Sequence, residues 1–125
     1  MTNSGSADAL AKFSDEDFTN AGYPSWVRGR ISQVASHEQT HANLLKAALG
    51  DSAVQPCQYA FPYTDVKSFL VFACGLENIG TSAYLGAAQY ISDPQYLTIA
   101  GSILTVEARH QGFINAPVLG GQPWT

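Results

Sequence analysis

A chain of 125 residues, 46% apolar and 13% charged, is long enough for one domain with a real core and too apolar for disorder to be its main state. Its net charge of −4 argues against a nucleic-acid or anionic-membrane partner, since both need a basic face. It contains no run of about 18 apolar residues that could span a bilayer, and its two cysteines, Cys57 and Cys74, fit no zinc-ribbon or redox spacing.

Residues 1–6 are polar, lack the apolar stretch of a signal peptide, and read as a disordered or engineered end. Residues 7–13 read as the last turns of a helix. Ser14 then caps a brief turn over residues 15–19, which Gly22 stops. Residues 24–49 have helical period, with Pro24 suited to the first helical position and Gly50 to the residue just past the end. The segment that follows holds Pro56, Cys57, Tyr59, Phe61, Pro62 and Tyr63, the content of a packed strap. A helix of that length measures about 39 Å, and an extended strap of about 15 residues reaches roughly 50 Å. The strap can therefore cross a bundle and let its two helices run parallel. A second long helix covers about residues 65–91, with Thr64 or Asp65 as cap. A third has Asp93 as cap and Pro94 at its first position, and ends near Asn115, before Pro117. Residues 118–125 form a tail. No segment alternates apolar and polar residues over strand length, so the class is all-α.

Each long helix carries an apolar stripe at spacings of three and four. The first stripe is Val27, Ile31, Val34, Glu38, His41, Leu45, Ala48. The second is Val66, Leu70, Ala73, Glu77, Gly80, Tyr84, Ala87, Ile91. The third is Tyr96, Ala100, Ile103, Glu107, His110, Ile114. A carboxylate interrupts every stripe, and in two of them a histidine follows three residues on. The chain has four glutamates and three histidines in all. Glu-x-x-His should arise by chance about 0.1 times in such a composition, yet it occurs twice. Burying charges unpaired costs several kcal/mol each. A metal ion compensates directly, because carboxylate oxygens and imidazole nitrogens suit iron, manganese or zinc.

The runs Ser36-His37-Glu38-Gln39-Thr40-His41-Ala42, Gly75-Leu76-Glu77-Asn78 and Val106-Glu107-Ala108-Arg109-His110-Gln111 resemble the ferritin-like superfamily. The resemblance covers about residues 7–117 and is strongest to the branch with fungal stress-response and plant desiccation-related proteins. It implies a ferritin-like helical bundle with three long helices and a short N-terminal remnant. It also implies that Glu38, His41, Glu77, Glu107 and His110 are metal ligands, with Glu38 and Glu107 as bridging positions. The cofactor would be iron or manganese as one ion or a di-metal centre, with zinc as the alternative, and the chemistry oxygen or peroxide activation or metal oxidation. The family's order is Glu, Glu-x-x-His, Glu, Glu-x-x-His on successive helices, and residues 1–13 contain no glutamate. The expectation is therefore either a truncated fragment or a bundle completed by another copy or another chain.

Other readings compete. The competing class is a metal-free structural or interaction protein of stress or desiccation type. His37-Glu38-x-x-His41 also matches the zinc metalloprotease pattern, with Glu38 as general base and Glu77 as a possible third ligand. His37 otherwise reads as a surface histidine. Tyr84 is either an accessory group near a metal or a core tyrosine, and Gly80 either leaves room for a ligand or lets helices approach. A Cys57–Cys74 disulfide would pin the strap to the second long helix and place the protein in an oxidising, secreted compartment. Two buried thiols in the cytoplasm are the alternative.

Overall fold

A computed structural model describes residues 5–55 and 57–123. Among these residues every regular element is helical: α1 (Gly5–Lys12), α2 (Asp15–Asn20), α3 (Trp26–Leu49), a 3-10 turn (Gly50–Ser52), α4 (Val66–Ala88), α5 (Pro94–Phe113) and a π-helical turn (Ile114–Val118). The all-α class and the three long helices agree with the sequence. The chain divides into two compact units, the first ending at Phe69 and the second beginning at Leu70.

In the first unit, α1 and α2 both pack on α3. A reciprocal cap starts α2. The Ser14 hydroxyl accepts from the Asp17 N–H at 3.2 Å, and the Asp17 carboxylate accepts from the Ser14 N–H at 2.7 Å. The Ser14 hydroxyl, which also donates to Asp17 Oδ2 at 2.7 Å, and then the Ser14 N–H hold the Asp17 carboxyl below its ordinary pKa. Gly22, at φ +88°, supplies the left-handed residue that turns the chain into α3. The core gathers Ala9, Phe13, Phe18, Val27, Ile31, Val34 and Phe69. Arg28, on α3, reaches back to the end of α1: its Nε donates to the Phe13 carbonyl and a terminal nitrogen to the Leu10 carbonyl, each at 2.9 Å. A guanidinium thus satisfies carbonyls that the last turn of a helix leaves open.

The strap is fastened at its far end. Tyr63 is buried, stacks on Phe61 at 5.7 Å and meets Phe69 edge-on at 5.3 Å. Its hydroxyl lies 2.7 Å from Asp8 Oδ2 and 2.9 Å from the Gly5 carbonyl, so one donor serves two acceptors on α1. Burial, then the Asp8 carboxylate, raise the Tyr63 pKa above that of an ordinary phenol. The near half of the strap is exposed, as at Val54 and Tyr59.

In the second unit, Asp93 caps α5 as expected. Its Oδ1 accepts from the Gln95 N–H at 2.7 Å and the Tyr96 N–H at 3.4 Å, with Pro94 at the first helical position. Past Phe113 the helix widens instead of stopping. Pro117 has no N–H to offer the carbonyl four residues back, and the ladder continues with a five-residue step, Leu119 N–H to Ile114 C=O at 2.9 Å. Leu70, Ala73, Ile103, Ile114 and Val118 are buried.

Three expectations are corrected. Gly5 and Ser6 are helical and buried, so the polar start is fold from Gly5 onward; residues 1–4 lie outside the described residues. The tail does not begin at residue 118, because Val118 is buried and the Asn115 side chain donates to the Gln122 carbonyl, folding the following residues back on the end of α5. Cys57 and Cys74 are free thiols. Cys57 is exposed, and the Cys74 thiol faces the Gln111 carbonyl of α5 at 3.9 Å within its own unit.

Candidate metal centre

In the second unit the interrupted stripes converge. Glu77 follows Leu70 and Ala73 on α4. Glu107 and His110 sit between Ile103 and Ile114 on α5. The apolar residues on either side are buried, and they carry the polar groups down with them: Glu77, Glu107 and His110 are each 5% exposed. His110 Nδ1 lies 3.1 Å from Glu77 Oε2. Each of the three offers a ligand atom, all within 4.8 Å of one another.

Gly80 shows how close the packing is. A Cβ at residue 80 would lie 2.8 Å from Glu107 Oε2 and 3.4 Å from its Cδ. The Glu107 carboxylate therefore rests against bare α4 backbone, one turn from Glu77. Beside this cluster, burial and the Glu77 carboxylate raise the Cys74 pKa, so that thiol stays protonated.

The donor set suits a metal ion. Two ligands held about 2.1 Å from one ion at a right angle stand about 3 Å apart, and the His110–Glu77 separation of 3.1 Å is of that size. Two carboxylates and an imidazole are hard-to-borderline donors, the type that iron and manganese accept.

The first unit holds the other Glu-x-x-His pair, on α3. His41 Nδ1 lies 3.5 Å from Glu38 Oε1, with side chains 13% and 25% exposed. They follow Val34, the last buried residue of that stripe. His37 is exposed on α3, as a surface histidine would be. No strand occurs among the described residues to hold a peptide beside a His-Glu-x-x-His zinc site. Tyr84 is half-buried on α4.

Residues 7–119 match the family model described as a ferritin-like domain. The chain belongs to the ferritin-like family. It is also similar to Protein rds1 of Schizosaccharomyces pombe, 31% identical over 102 residues that make up 82% of this chain and 25% of that protein. This ferritin-like chain thus spans about a quarter of the length of the curated relative it matches. The match begins where the resemblance in the sequence begins, at residue 7, and runs two residues past residue 117. Among the described residues, no helix is long and apolar enough to cross a membrane.

The contact that the sequence left open is Gly80 against Glu107. Its position three residues after Glu77 was the available signal, but the pattern does not say which neighbour a bare Cα faces.

Proposed function

We propose that this ferritin-like protein binds iron or manganese through Glu77, Glu107 and His110. The observation that carries the reading is the convergence of three ionisable side chains, each 5% exposed, from two helices. Such a cluster gathers two carboxylates and an imidazole in a place almost closed to water. A divalent ion neutralises them and offsets the cost of keeping them from water.

Glu38 and His41 are proposed as further ligands, on the strength of the repeated Glu-x-x-His spacing and the ferritin-like resemblance. By the resemblance, Glu38 and Glu107 would be the bridging candidates, and His41 and His110 the histidine ligands. A bound pair of such ions supplies oxygen or peroxide activation, in a stress-response setting. The protein's own groups would hold the ions and keep bulk water away. The carboxylate that the family's pattern places on one more helix is proposed to come from outside these 125 residues, whether from more of the same chain, a second copy or another chain.

A metal-free structural role is the second reading, and one contact favours it: His110 and Glu77 already pair directly at 3.1 Å. Native mass spectrometry after exposure to ferrous iron or manganese separates the two. The expected result is one or two ions per chain in an assembled species, with none in Glu107→Ala. Full stoichiometry in Glu107→Ala would overturn the ligand assignment. An apo wild type would favour the structural role.

A further inference from the structure

We propose that Gly80 is a positioning residue for the metal centre, the missing side chain that lets the Glu107 carboxylate lie against α4 beside Glu77. This rests on the proposed metal reading and deepens it.

Glycine is disfavoured inside a helix relative to alanine, so a mid-helix glycine calls for a reason. In α4 three glycines can be compared. A Cβ on Gly75 or Gly86 would meet nothing within 4 Å. A Cβ on Gly80 would meet Glu107 Oε2 at 2.8 Å, Cδ at 3.4 Å and Cγ at 3.7 Å. The atoms met are the far half of one flexible side chain. The nearest of them, Oε2, belongs to the carboxylate that would bind the ion.

This geometry separates two effects that usually travel together. A methyl group at residue 80 does not strike backbone or core. It displaces the end of Glu107 by rotation about its own torsions, which a helix tolerates. The displaced carboxylate then leaves the cluster in which His110 and Glu77 stand 3.1 Å apart. The fold keeps its stability, or gains from the better helix former, while the ligand set loses one member's position.

The test compares wild type, Gly80→Ala and Gly86→Ala, using Co(II) and Mn(II) as probes. Affinity is measured by calorimetry, coordination by the visible bands of Co(II), and apo stability by thermal melting. Gly80→Ala is expected to bind about 10–100-fold more weakly, the loss typical when a group orienting a ligand is changed. Its Co(II) bands should shift, and its apo melting temperature should hold or rise. Gly86→Ala should hold or rise in stability with affinity and spectrum unchanged. Wild-type affinity and spectrum in Gly80→Ala would overturn the proposal while leaving the metal reading intact. A wild type that takes up neither ion would overturn the metal reading itself and this proposal with it. Should Gly80→Ala fail to fold, Gly80→Ala/Glu107→Ala decides: recovery of folding supports a clash with Glu107, and no recovery overturns it.

Discussion

His110 Nδ1 stands 3.1 Å from Glu77 Oε2, and both side chains are almost wholly withdrawn from water. Each is the other's partner in the apo protein. Removing His110 takes this partner from the buried Glu77 carboxylate.

His110→Leu should therefore destabilise the apo protein by about 3–5 kcal/mol, the range for breaking a buried pair. Glu77→Leu/His110→Leu should recover part of that loss, because two apolar side chains of similar size restore packing and no Glu77 carboxylate is left buried, while Glu107 stays in place in both variants. Urea unfolding of the single and double variants measures both. A double variant as unstable as the single would show that packing, not stranded charge, dominates.

Arg28 joins α3 to the end of α1 through two carbonyls, Leu10 and Phe13. Charged hydrogen bonds of this kind contribute about 1.5–3 kcal/mol each at most, and the side chain is 27% exposed, which lowers that figure. Arg28→Ala should cost about 2 kcal/mol. Arg28→Lys should recover less than half, since an ammonium cannot fork to two carbonyls. Chemical denaturation curves give both values, and hydrogen exchange in α1 should accelerate in each variant.

Tyr63 gives the first unit a defined alkaline response. Its phenol binds its proton more tightly folded than unfolded, so its contribution is intact below the ordinary value of 10.0. Stability then falls as pH rises above that value toward the raised folded-state pKa. Tyr63→Phe should flatten this alkaline limb, and at neutral pH should cost on the order of 1 kcal/mol for the lost bond to Asp8. Melting temperatures between pH 7 and pH 11, compared across the two proteins, would show the limb or its absence.

Asp93 starts the helix that carries Glu107 and His110. Asp93→Ala removes the acceptor for the Gln95 and Tyr96 N–H groups and should cost about 1 kcal/mol. Asp93→Asn should cost only a fraction of that, because an amide oxygen can still cap. Thermal melting orders the three proteins.

Much of this was legible in the sequence because the deciding interactions are local. The Asp93-Pro94 start, the Ser14 cap and the Gly22 turn each involve residues a few positions apart. The burial of Glu77, Glu107 and His110 was legible for another reason: each lies three or four residues from a buried apolar residue of its stripe, Ala73 for Glu77, Ile103 for Glu107 and Ile114 for His110, and so shares its helix face. What escaped depends on distance along the chain. Arg28 binds carbonyls 15 and 18 residues away, and Gly80 meets Glu107 across two helices. Tyr96 sits on an apolar stripe yet is 49% exposed, because the stripe begins before its burial does. Pro117 reads as a stop signal but instead widens the last turn of α5, since only a proline's missing N–H, and not the carbonyl register around it, is written in the sequence.

The strap also carries an optical signature. Tyr59, Phe61 and Tyr63 stack in sequence, with ring planes within 10° and 15° of parallel. Aromatic transitions held in a fixed, chiral column couple to one another and give near-ultraviolet circular dichroism, whereas helix content is read in the far ultraviolet. Following both bands during refolding would time the arrival of the strap separately from the growth of the helices. The order of those two signals would tell whether α1 waits for Tyr63 or is already in place when it arrives.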